Sequence, residues 1–313
     1  MGTYLPEGNC INQSENEFYL RSESTLREAM NNERVLEARA ILCDYAHNLI
    51  VDLGFCRGII PREEGAIGIR EGVVRDIAII SRVNKPVCFV VKELRYDESG
   101  TLAPLLSRRR AQEKCVSEYL GRLTPGDIIP ARVTHLENFG CFVDIGCGVP
   151  SLISIDQISV SRISHPKDRF SVGDSILAVV KEIDQDGRIH LTHKELLGTW
   201  QENADLFLAG ETVAGIIRSV EDYGVFVELT PNLAGLAEPF AGGKPGQHAS
   251  IYIKSILPDK MKIKLIIVDA FDAPYTPDPV TYFITGGHLD RWQYSPESCS
   301  RVIETRFGPS DSI

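Results

Sequence analysis

Short runs of alternating apolar and polar residues dominate the middle of the chain. Between residues 128 and 193 these runs are "IIPARVTHLE", "CFVDIG", "PSLISI", "SILAVVKEI" and "RIHLTH", and glycine, proline or aspartate stands between them. A period of two residues, interrupted by turn residues, is typical of short antiparallel strands and not of helix crossover units. The pattern therefore predicts a small antiparallel barrel.

The same pattern occurs more than once. The segments "GDIIPARVTHLENFGCFVDI" and "GETVAGIIRSVEDYGVFVEL" align with an offset of 84 residues, and "RVLEARAILCDYAHNLIVDLG" forms a weaker, earlier copy. Repeats of one supersecondary unit predict an array of similar domains. We therefore predict a mainly β protein with three tandem five-stranded barrels of the OB-fold type, joined by short helical linkers.

Helical patterns at 107–120 and 193–208 separate the copies, and Thr25 with Glu28 has the spacing of a capping box at an earlier helix. Aromatic residues near the end of the chain are expected to pack against the third barrel, with a partner surface as the alternative: Tyr282, Phe283, Trp292 and Tyr294. The predicted segments are an N-terminal extension and helix (1–33), a degenerate first barrel with its linker helix (34–120), a second barrel with its linker helix (121–208), a third barrel (209–270) and a C-terminal tail (271–313).

Strand alternation predicts which side chains face inward. In "CFVDIG" the inward set is Cys141, Val143 and Ile145, because the other set contains Asp144, which a small core would not accept without a partner. Phe142 then points outward. In the third copy the inward residues are Val225, Val227 and Leu229, which leaves Phe226 and Glu228 on the surface.

A second ring precedes each outward phenylalanine by three positions. Phe139 pairs in this way with Phe142, and Tyr223 pairs with Phe226. In a regular strand Phe139 would face the opposite side, but a bulge at Gly140 would shift the register by one residue and place both rings on one outer face.

Cations are predicted on the same outer faces. The alternation places Arg132, Arg188, Lys262 and Lys264 outward. Aromatic rings with neighbouring cations form a stacking platform for single-stranded nucleic acid, with phosphate contacts at its rim. The alternative is that the phenylalanines are buried beneath a linker helix or a neighbouring barrel.

Composition limits the other possibilities. The formal charge of −10 argues against electrostatic coating of a duplex, but less against base stacking. The eight cysteines are scattered without a CxxC pair, and His190 and His193 point to opposite faces, so no metal or cofactor is expected. Since no long apolar segment or leader pattern is present, we expect a cytoplasmic protein without a membrane partner.

"TPGDIIPARVTHLENFGCFVDIGCGVPSLISIDQIS", followed by "FSVGDSILAVVKEIDQDGRIHLTHKE", resembles the S-one (S1) RNA-binding domain, closely over 125–196, well over 209–269 and loosely over 34–112. The order of repeats is similar to that of the bacterial ribosomal protein S1 family. The resemblance implies an OB-fold array that binds single-stranded RNA.

The resemblance also assigns residues. In the middle copy it places the family's paired aromatics on Phe139 and Phe142, its acidic residue on Asp184 and its arginine on Arg188, whereas Ser154 replaces a histidine. In the third copy the corresponding residues are Tyr223, Phe226 and Lys262, with Glu238 and Pro258 as departures. The first copy has His47, Ile50 and Pro61 at these positions, so it retains little of the binding face.

Two classes of function remain. The first is a non-catalytic protein that binds single-stranded RNA such as mRNA in translation or mRNA handling, with the small ribosomal subunit as a further candidate partner. The second is a protein-interaction scaffold of OB barrels, or an accessory factor of RNA turnover or transcription with weak RNA binding. An enzyme is not expected, because no nucleophile and base set, acid pair or cofactor loop occurs in the sequence.

Overall fold

A computed structural model of the protein describes residues 4–274 and 279–308. Residues 1–3, 275–278 and 309–313 belong to the predicted N-terminal extension and C-terminal tail and lie outside the described residues. Within the described part of the chain no helix combines the length and apolar character needed to cross a membrane.

The described residues form three closed five-stranded barrels, which confirms the predicted fold class. The strands of the first barrel are β1 (Leu36–Cys43), β2 (Leu49–Asp52), β3 (Arg57–Ile60), β4 (Pro86–Glu93) and β5 (Leu105–Ser107). Those of the middle barrel are β6 (Ile128–Glu137), β7 (Gly140–Asp144), β8 (Pro150–Ser154), β9 (Ser175–Ile183) and β10 (Ile189–Thr192). Those of the third barrel are β11 (Thr212–Glu221), β12 (Gly224–Thr230), β13 (Leu233–Ala237), β14 (His248–Leu257) and β15 (Lys262–Phe271).

Strand order is the same in each barrel. The third and fifth strands pair in parallel in the first barrel (β3 with β5), in the middle barrel (β8 with β10) and in the third barrel (β13 with β15). The remaining pairings for which a register is resolved are antiparallel, and the fourth strand lies between the fifth and the first. A two-stranded sheet of β16 (Arg291–Gln293) and β17 (Glu304–Arg306) follows the third barrel.

The helices are short. They are α1 (Ser14–Tyr19), α2 (Glu23–Asn31), α3 (Ile77–Ile80), α4 (Arg108–Glu118) and α5 (Trp200–Ala204), with single 3-10 turns at Arg62–Glu64, Leu120–Arg122, Ile155–Gln157, Pro166–Asp168, Lys194–Leu197 and Pro258–Lys260. The linker helix predicted at 193–208 is wrong as a continuous helix. Gly198 adopts a φ of 83°, which ends the turn at Leu197 before α5 begins. The capping box at Thr25 is also wrong, because Ser22 caps α2.

The chain divides into two compact units. The first contains residues Met1–Leu123, Pro130–Arg132 and Asp144–Pro150, and the second contains Thr124–Ile129, Val133–Val143 and Ser151–Ile313. This division passes through the middle barrel and differs from the five segments predicted from the sequence, which remain a prediction.

The core of the first unit is the interior of the first barrel. Leu26 and Ala29 of α2 are fully buried in the same cluster as Leu49, Ile60 and Phe89. Asp144 also lies in this unit and is buried, although alternation suggested an exposed position. It accepts hydrogen bonds from the backbone N–H groups of Glu7, Gly146 and Gly148 at 2.7 to 2.9 Å, and burial raises its pKa to about 7.

In the second unit, the third barrel and the residues after it share one core. Trp292, Tyr294 and Phe307 are buried in a cluster with Ile217 and Val225, and Tyr282 packs against this cluster. The prediction that these tail aromatics pack against the third barrel is therefore confirmed for Trp292 and Tyr294, whereas the Tyr282 hydroxyl contacts the N–H of Leu177 and the ring of His193, beside the middle barrel.

Asn232 links several segments of this unit. Its fully buried side chain donates hydrogen bonds to the carbonyl oxygens of Lys194 and Gly198, at 2.7 and 2.8 Å, and accepts one from the N–H of Val160 at 3.0 Å. Its own carbonyl oxygen accepts from the Tyr294 hydroxyl at 2.6 Å. One amide therefore satisfies backbone groups of the loop after β8 and of the connection before α5.

Asn232→Ala should lower the free energy of unfolding by about 2–4 kcal/mol, because it leaves one buried and two partly buried backbone groups without their partner. Asn138→Ala, in the exposed turn before β7, is the matched control and should change stability by less than about 0.5 kcal/mol. Urea titration of both variants measures the difference. Equal unfolding midpoints would contradict the role given to Asn232.

His193 is buried as a neutral ring. Its Nδ1 lies 2.9 Å from the carbonyl oxygen of Ile158 and its Nε2 lies 3.2 Å from the Tyr282 hydroxyl. Phe170 packs edge-on against the ring at a centroid distance of 5.0 Å. Burial lowers the pKa of His193 from 6.5 to about 4.

Because the folded-state pKa of His193 lies below the unfolded value, its contribution to stability is complete above about pH 6.5 and is lost as the pH falls towards 4. The loss at pH 4 should approach about 3 kcal/mol. His193→Gln should reduce stability at neutral pH but flatten its decline between pH 6.5 and 4. An unchanged slope in His193→Gln would refute the assignment.

Candidate nucleic-acid interface

The middle barrel carries a pair of aromatic rings at its β6–β7 hairpin. Phe139 lies in the turn before β7 and is 56% exposed, and the half-buried Phe142 lies within β7. The ring centroids are 5.9 Å apart and the planes meet at 88°. Both rings therefore belong to one outer patch, as the spacing predicted.

The third barrel repeats this arrangement. Tyr223 is 66% exposed in the β11–β12 turn, and its ring meets that of Phe226 at a centroid distance of 6.3 Å and an angle of 88°. In the strand register Glu221 pairs with Gly224, so the turn contains Asp222 and Tyr223. In the third barrel the first ring therefore lies in the turn and not in the strand.

The glycine between the rings is required by close packing. A Cβ at Gly140 would lie 2.5 Å from the carbonyl oxygen of Ile153, and a Cβ at Gly224 would lie 2.4 Å from that of Ala237. Real Cβ atoms do not approach backbone oxygens so closely. The glycine therefore allows the neighbouring strand to pack beside the hairpin that presents the two rings.

The predicted facing holds for most of these strands. Cys141 and Val143 are fully buried on either side of Phe142, and Val225 and Val227 are fully buried on either side of Phe226, whereas Leu229 is only partly buried.

The predicted exposure of Glu228 is wrong. The sequence placed it on the surface, but it is 5% exposed, because Arg169 and Arg218 both donate to its carboxylate.

The predicted cations differ in position. Lys262 and Lys264 are exposed on β15, on either side of the buried Ile263. The register runs from Phe226 to Leu236 and from Leu236 to Lys264, so Lys264 lies two strands from the ring. At a strand spacing of about 4.8 Å this is roughly 10 Å, a distance that one nucleotide can bridge.

In the middle barrel Arg188 has a side chain that is 74% exposed and lies 3.6 Å from Asp186. Asp184 accepts hydrogen bonds from the N–H groups of Asp186 and Arg188 in the hairpin turn, and the bond from Arg188 in particular holds its pKa below the usual value. His190 lies 3.6 Å from the other Asp184 oxygen. Asp184 thus shapes the turn that presents Arg188.

Arg132 has a different environment. It belongs to the first compact unit, where its guanidinium lies 3.4 Å from the side-chain oxygen of Asn9. Its contact with RNA stays a prediction from the sequence.

Sequence reasoning missed His135. Its ring lies 6.4 Å from that of Phe142 with an angle of 30° between the planes, and its Nε2 is 2.6 Å from Glu137. Its side chain is exposed near the end of β6. The corresponding residue in the third barrel is Ser219, which pairs with Phe226.

The first barrel lacks a ring pair at these positions. His47 has a φ of 62° in the β1–β2 turn and pairs with Asp76 at 3.3 Å, and Ile50 is half-buried in β2. In the third barrel Glu238, at the family's histidine position, pairs with Lys254 at 3.1 Å. Across residues 4–274 and 279–308, no three His, Cys, Asp or Glu side chains form a group that could hold a metal ion.

Comparison with known proteins agrees with this geometry. The model of the S1 RNA binding domain matches residues 122–194, which contain the middle barrel. Small ribosomal subunit protein bS1 of Leuconostoc lactis is 30% identical over 271 residues, covering 82% of this chain and 60% of the relative. The bS1 protein of Staphylococcus epidermidis is 28% identical over 264 residues, covering 79% and 64%.

A crystal structure of a multidomain protein with nucleic acid binding domains from Streptococcus pneumoniae aligns over 76% of this chain and 74% of its own, at 15% identity and a TM-score of 0.25. Similarity at that level carries no argument. The three closed barrels and the match to the S1 RNA binding domain together describe a protein built of tandem OB-fold domains. Two of these domains present a pair of aromatic rings. The middle barrel matches the S1 RNA binding domain, and the chain is similar to bS1 proteins, of whose length it spans about 60%.

Gly140→Ala should lower the free energy of unfolding by about 1–3 kcal/mol, because the added methyl group overlaps the carbonyl of Ile153 and forces the strands apart. Gly286→Ala is a suitable control, since a Cβ there meets no atom within 4 Å. Urea unfolding of the two variants provides the comparison. If Gly140→Ala were as stable as Gly286→Ala, the packing role of Gly140 would be wrong.

Proposed function

We propose that this chain is a non-catalytic protein that binds single-stranded RNA through its middle and third barrels and acts in translation or mRNA handling. The observation that carries the proposal is the pair of exposed, edge-to-face rings at the same hairpin of both barrels. Unstacked bases bind to such rings without strong sequence preference, because every base has a flat aromatic face.

Exposed cations support the same function. Arg188 in the middle barrel, with Lys262 and Lys264 in the third, is available to phosphates near the rings. The first barrel is expected to contribute little, because His47 and Ile50 do not form a pair of stacking rings. The binding residues are therefore proposed to be Arg132, Phe139, Phe142, Asp184, Arg188, Tyr223, Phe226, Lys262 and Lys264, with Asp184 positioning Arg188.

The names of the relatives suggest where the protein acts. The bS1 proteins are small ribosomal subunit proteins, so mRNA and the small ribosomal subunit are the proposed partners, and the cytoplasm is the proposed location. Since the relatives are longer than this chain, RNA binding is the part of this proposal that can be tested on the chain alone.

Phe142→Ala and Arg188→Ala should weaken binding of single-stranded RNA while changing thermal stability little. Loss of a stacked ring should cost roughly 1–3 kcal/mol of binding free energy, and loss of the arginine should also reduce the salt dependence of affinity by about one counterion. Fluorescence anisotropy at several salt concentrations measures both effects.

Phe55→Ala and Arg57→Ala, exposed positions of the first barrel, are the matched controls. Wild-type RNA affinity in Phe142→Ala, combined with a loss of several kcal/mol of stability, would show a core residue and not a binding residue. RNA affinity that does not respond to salt would favour the scaffold alternative, because phosphate contacts release counterions.

A further inference from the structure

A cleft of about 760 Å³ lies over the outer face of the third barrel, within the second compact unit. Tyr223 and Phe226 line it together with residues 216–219 of β11. The opposite wall is formed by residues 160–164, which follow β8 of the middle barrel. The ring pair of the third barrel therefore lines one side of a cleft to which another barrel contributes a loop.

The loop is fixed in place. The N–H of Val160 donates to the side chain of Asn232 at 3.0 Å, and the N–H of Ser161 donates to the carbonyl oxygen of Pro231 at 3.0 Å. Ser161 is 6% exposed, whereas Arg162, the next residue, is exposed and lines the cleft. Backbone hydrogen bonds thus hold the wall on the third barrel and leave the Arg162 side chain at its rim.

Arg218 and Asp168, which line the cleft, compensate each other, and the carboxylate of Glu221 also lines it. Arg218 donates to both oxygens of Glu228, at 2.8 and 3.1 Å, and to Asp168 at 3.3 Å. Most of the remaining lining is apolar, including Val160, Ile163 and Ile216. Such an interior suits a flat, uncharged group, and the volume falls within the range of roughly 300–1,000 Å³ that small-ligand sites have.

The ring pair favours a nucleobase over an apolar peptide as that group. Ser219, Glu221, Tyr223 and Phe226 in the cleft stand 84 residues after His135, Glu137, Phe139 and Phe142, so the lining corresponds position by position to the stacking patch of the middle barrel. A base that enters the cleft leaves its sugar and phosphate at the rim, where Arg162 is located.

We propose that residues 160–164 and the ring pair of the third barrel form one composite RNA site, in which a single unpaired base is clamped between Phe226 and the loop while Arg162 contacts the adjacent phosphate. This inference rests on the proposed RNA-binding function and adds a residue that the alignment of repeats does not assign. It makes the middle barrel part of the binding site of the third.

The test compares Arg162→Ala with Lys167→Ala in the full chain, using a single-stranded oligouridylate of about 12 nucleotides. Lys167 is an exposed cation close to Arg162 in sequence that does not line the cleft, so it is a matched control. Arg162→Ala should weaken binding about fivefold and lower the salt slope by about one, whereas Lys167→Ala should change affinity less than about twofold.

A double-mutant cycle tests whether loop and rings act together. Phe226→Ala should weaken binding about tenfold, and adding Arg162→Ala to it should cost less than about twofold more, because the arginine acts on a base that is no longer seated. In the double variant of Arg162→Ala and Phe142→Ala the two fold losses of RNA affinity should instead multiply, since those residues serve different sites. Photo-crosslinking of RNA containing 4-thiouridine should label the peptide that contains residues 160–164.

The outcomes separate this inference from the proposed function. If Phe142→Ala weakens RNA binding but Arg162→Ala behaves as Lys167→Ala does, the composite site is wrong and RNA binding stands. If the wild-type chain does not bind the oligonucleotide, both are wrong. If Phe226→Ala and Arg162→Ala leave RNA affinity unchanged, the cleft does not hold a base, and a peptide becomes the better candidate for its occupant.

Discussion

The buried amide of Asn232 is the interaction on which the arrangement of the second compact unit depends. Its side chain joins the connection before α5 to the loop after β8, and its backbone carbonyl accepts the Tyr294 hydroxyl. An apolar residue of the same size would leave the buried carbonyl of Gly198 and the partly buried backbone groups of Lys194 and Val160 without this partner, at a cost larger than the gain from a hydrogen bond. A side chain that both donates and accepts is therefore required at this position.

Several arginines of this acidic protein are engaged in internal ion pairs and are therefore not available to a ligand. Arg169 and Arg218 are committed to Glu228, and in the first unit the buried Arg108 donates to both oxygens of Glu7. Buried pairs of this kind contribute little net stability, but removing one partner leaves an uncompensated charge. These arginines therefore serve the fold, and under the proposed function attraction of phosphate depends on the exposed cations.

Local periodicity predicted much of the fold and some of the site. The bounds of β6 and β9 and the inward facing of Cys141 and Val143 follow from alternation alone, because the side-chain period of a strand is local. The burial of Glu228 could not be predicted in this way, since its partner Arg169 lies 59 residues away. The break at Gly198 depends on the backbone conformation that follows, and the wall at residues 160–164 depends on how the loop folds onto another barrel.

The proposed composite site depends on both local strand alternation, which presents Phe226, and the distant contact that holds the loop. Asn232 holds the loop against the third barrel, and under the proposed clamp a bound base contacts the loop on one side and Phe226 on the other. Any ligand that binds only when both walls are in place stabilises that arrangement in proportion to its occupancy. RNA held on the ring pair of the middle barrel alone has no such effect, because Phe139 and Phe142 belong to a single hairpin. Binding of RNA to the third barrel would therefore stabilise the contacts that Asn232 makes with the loop after β8 and with the connection before α5.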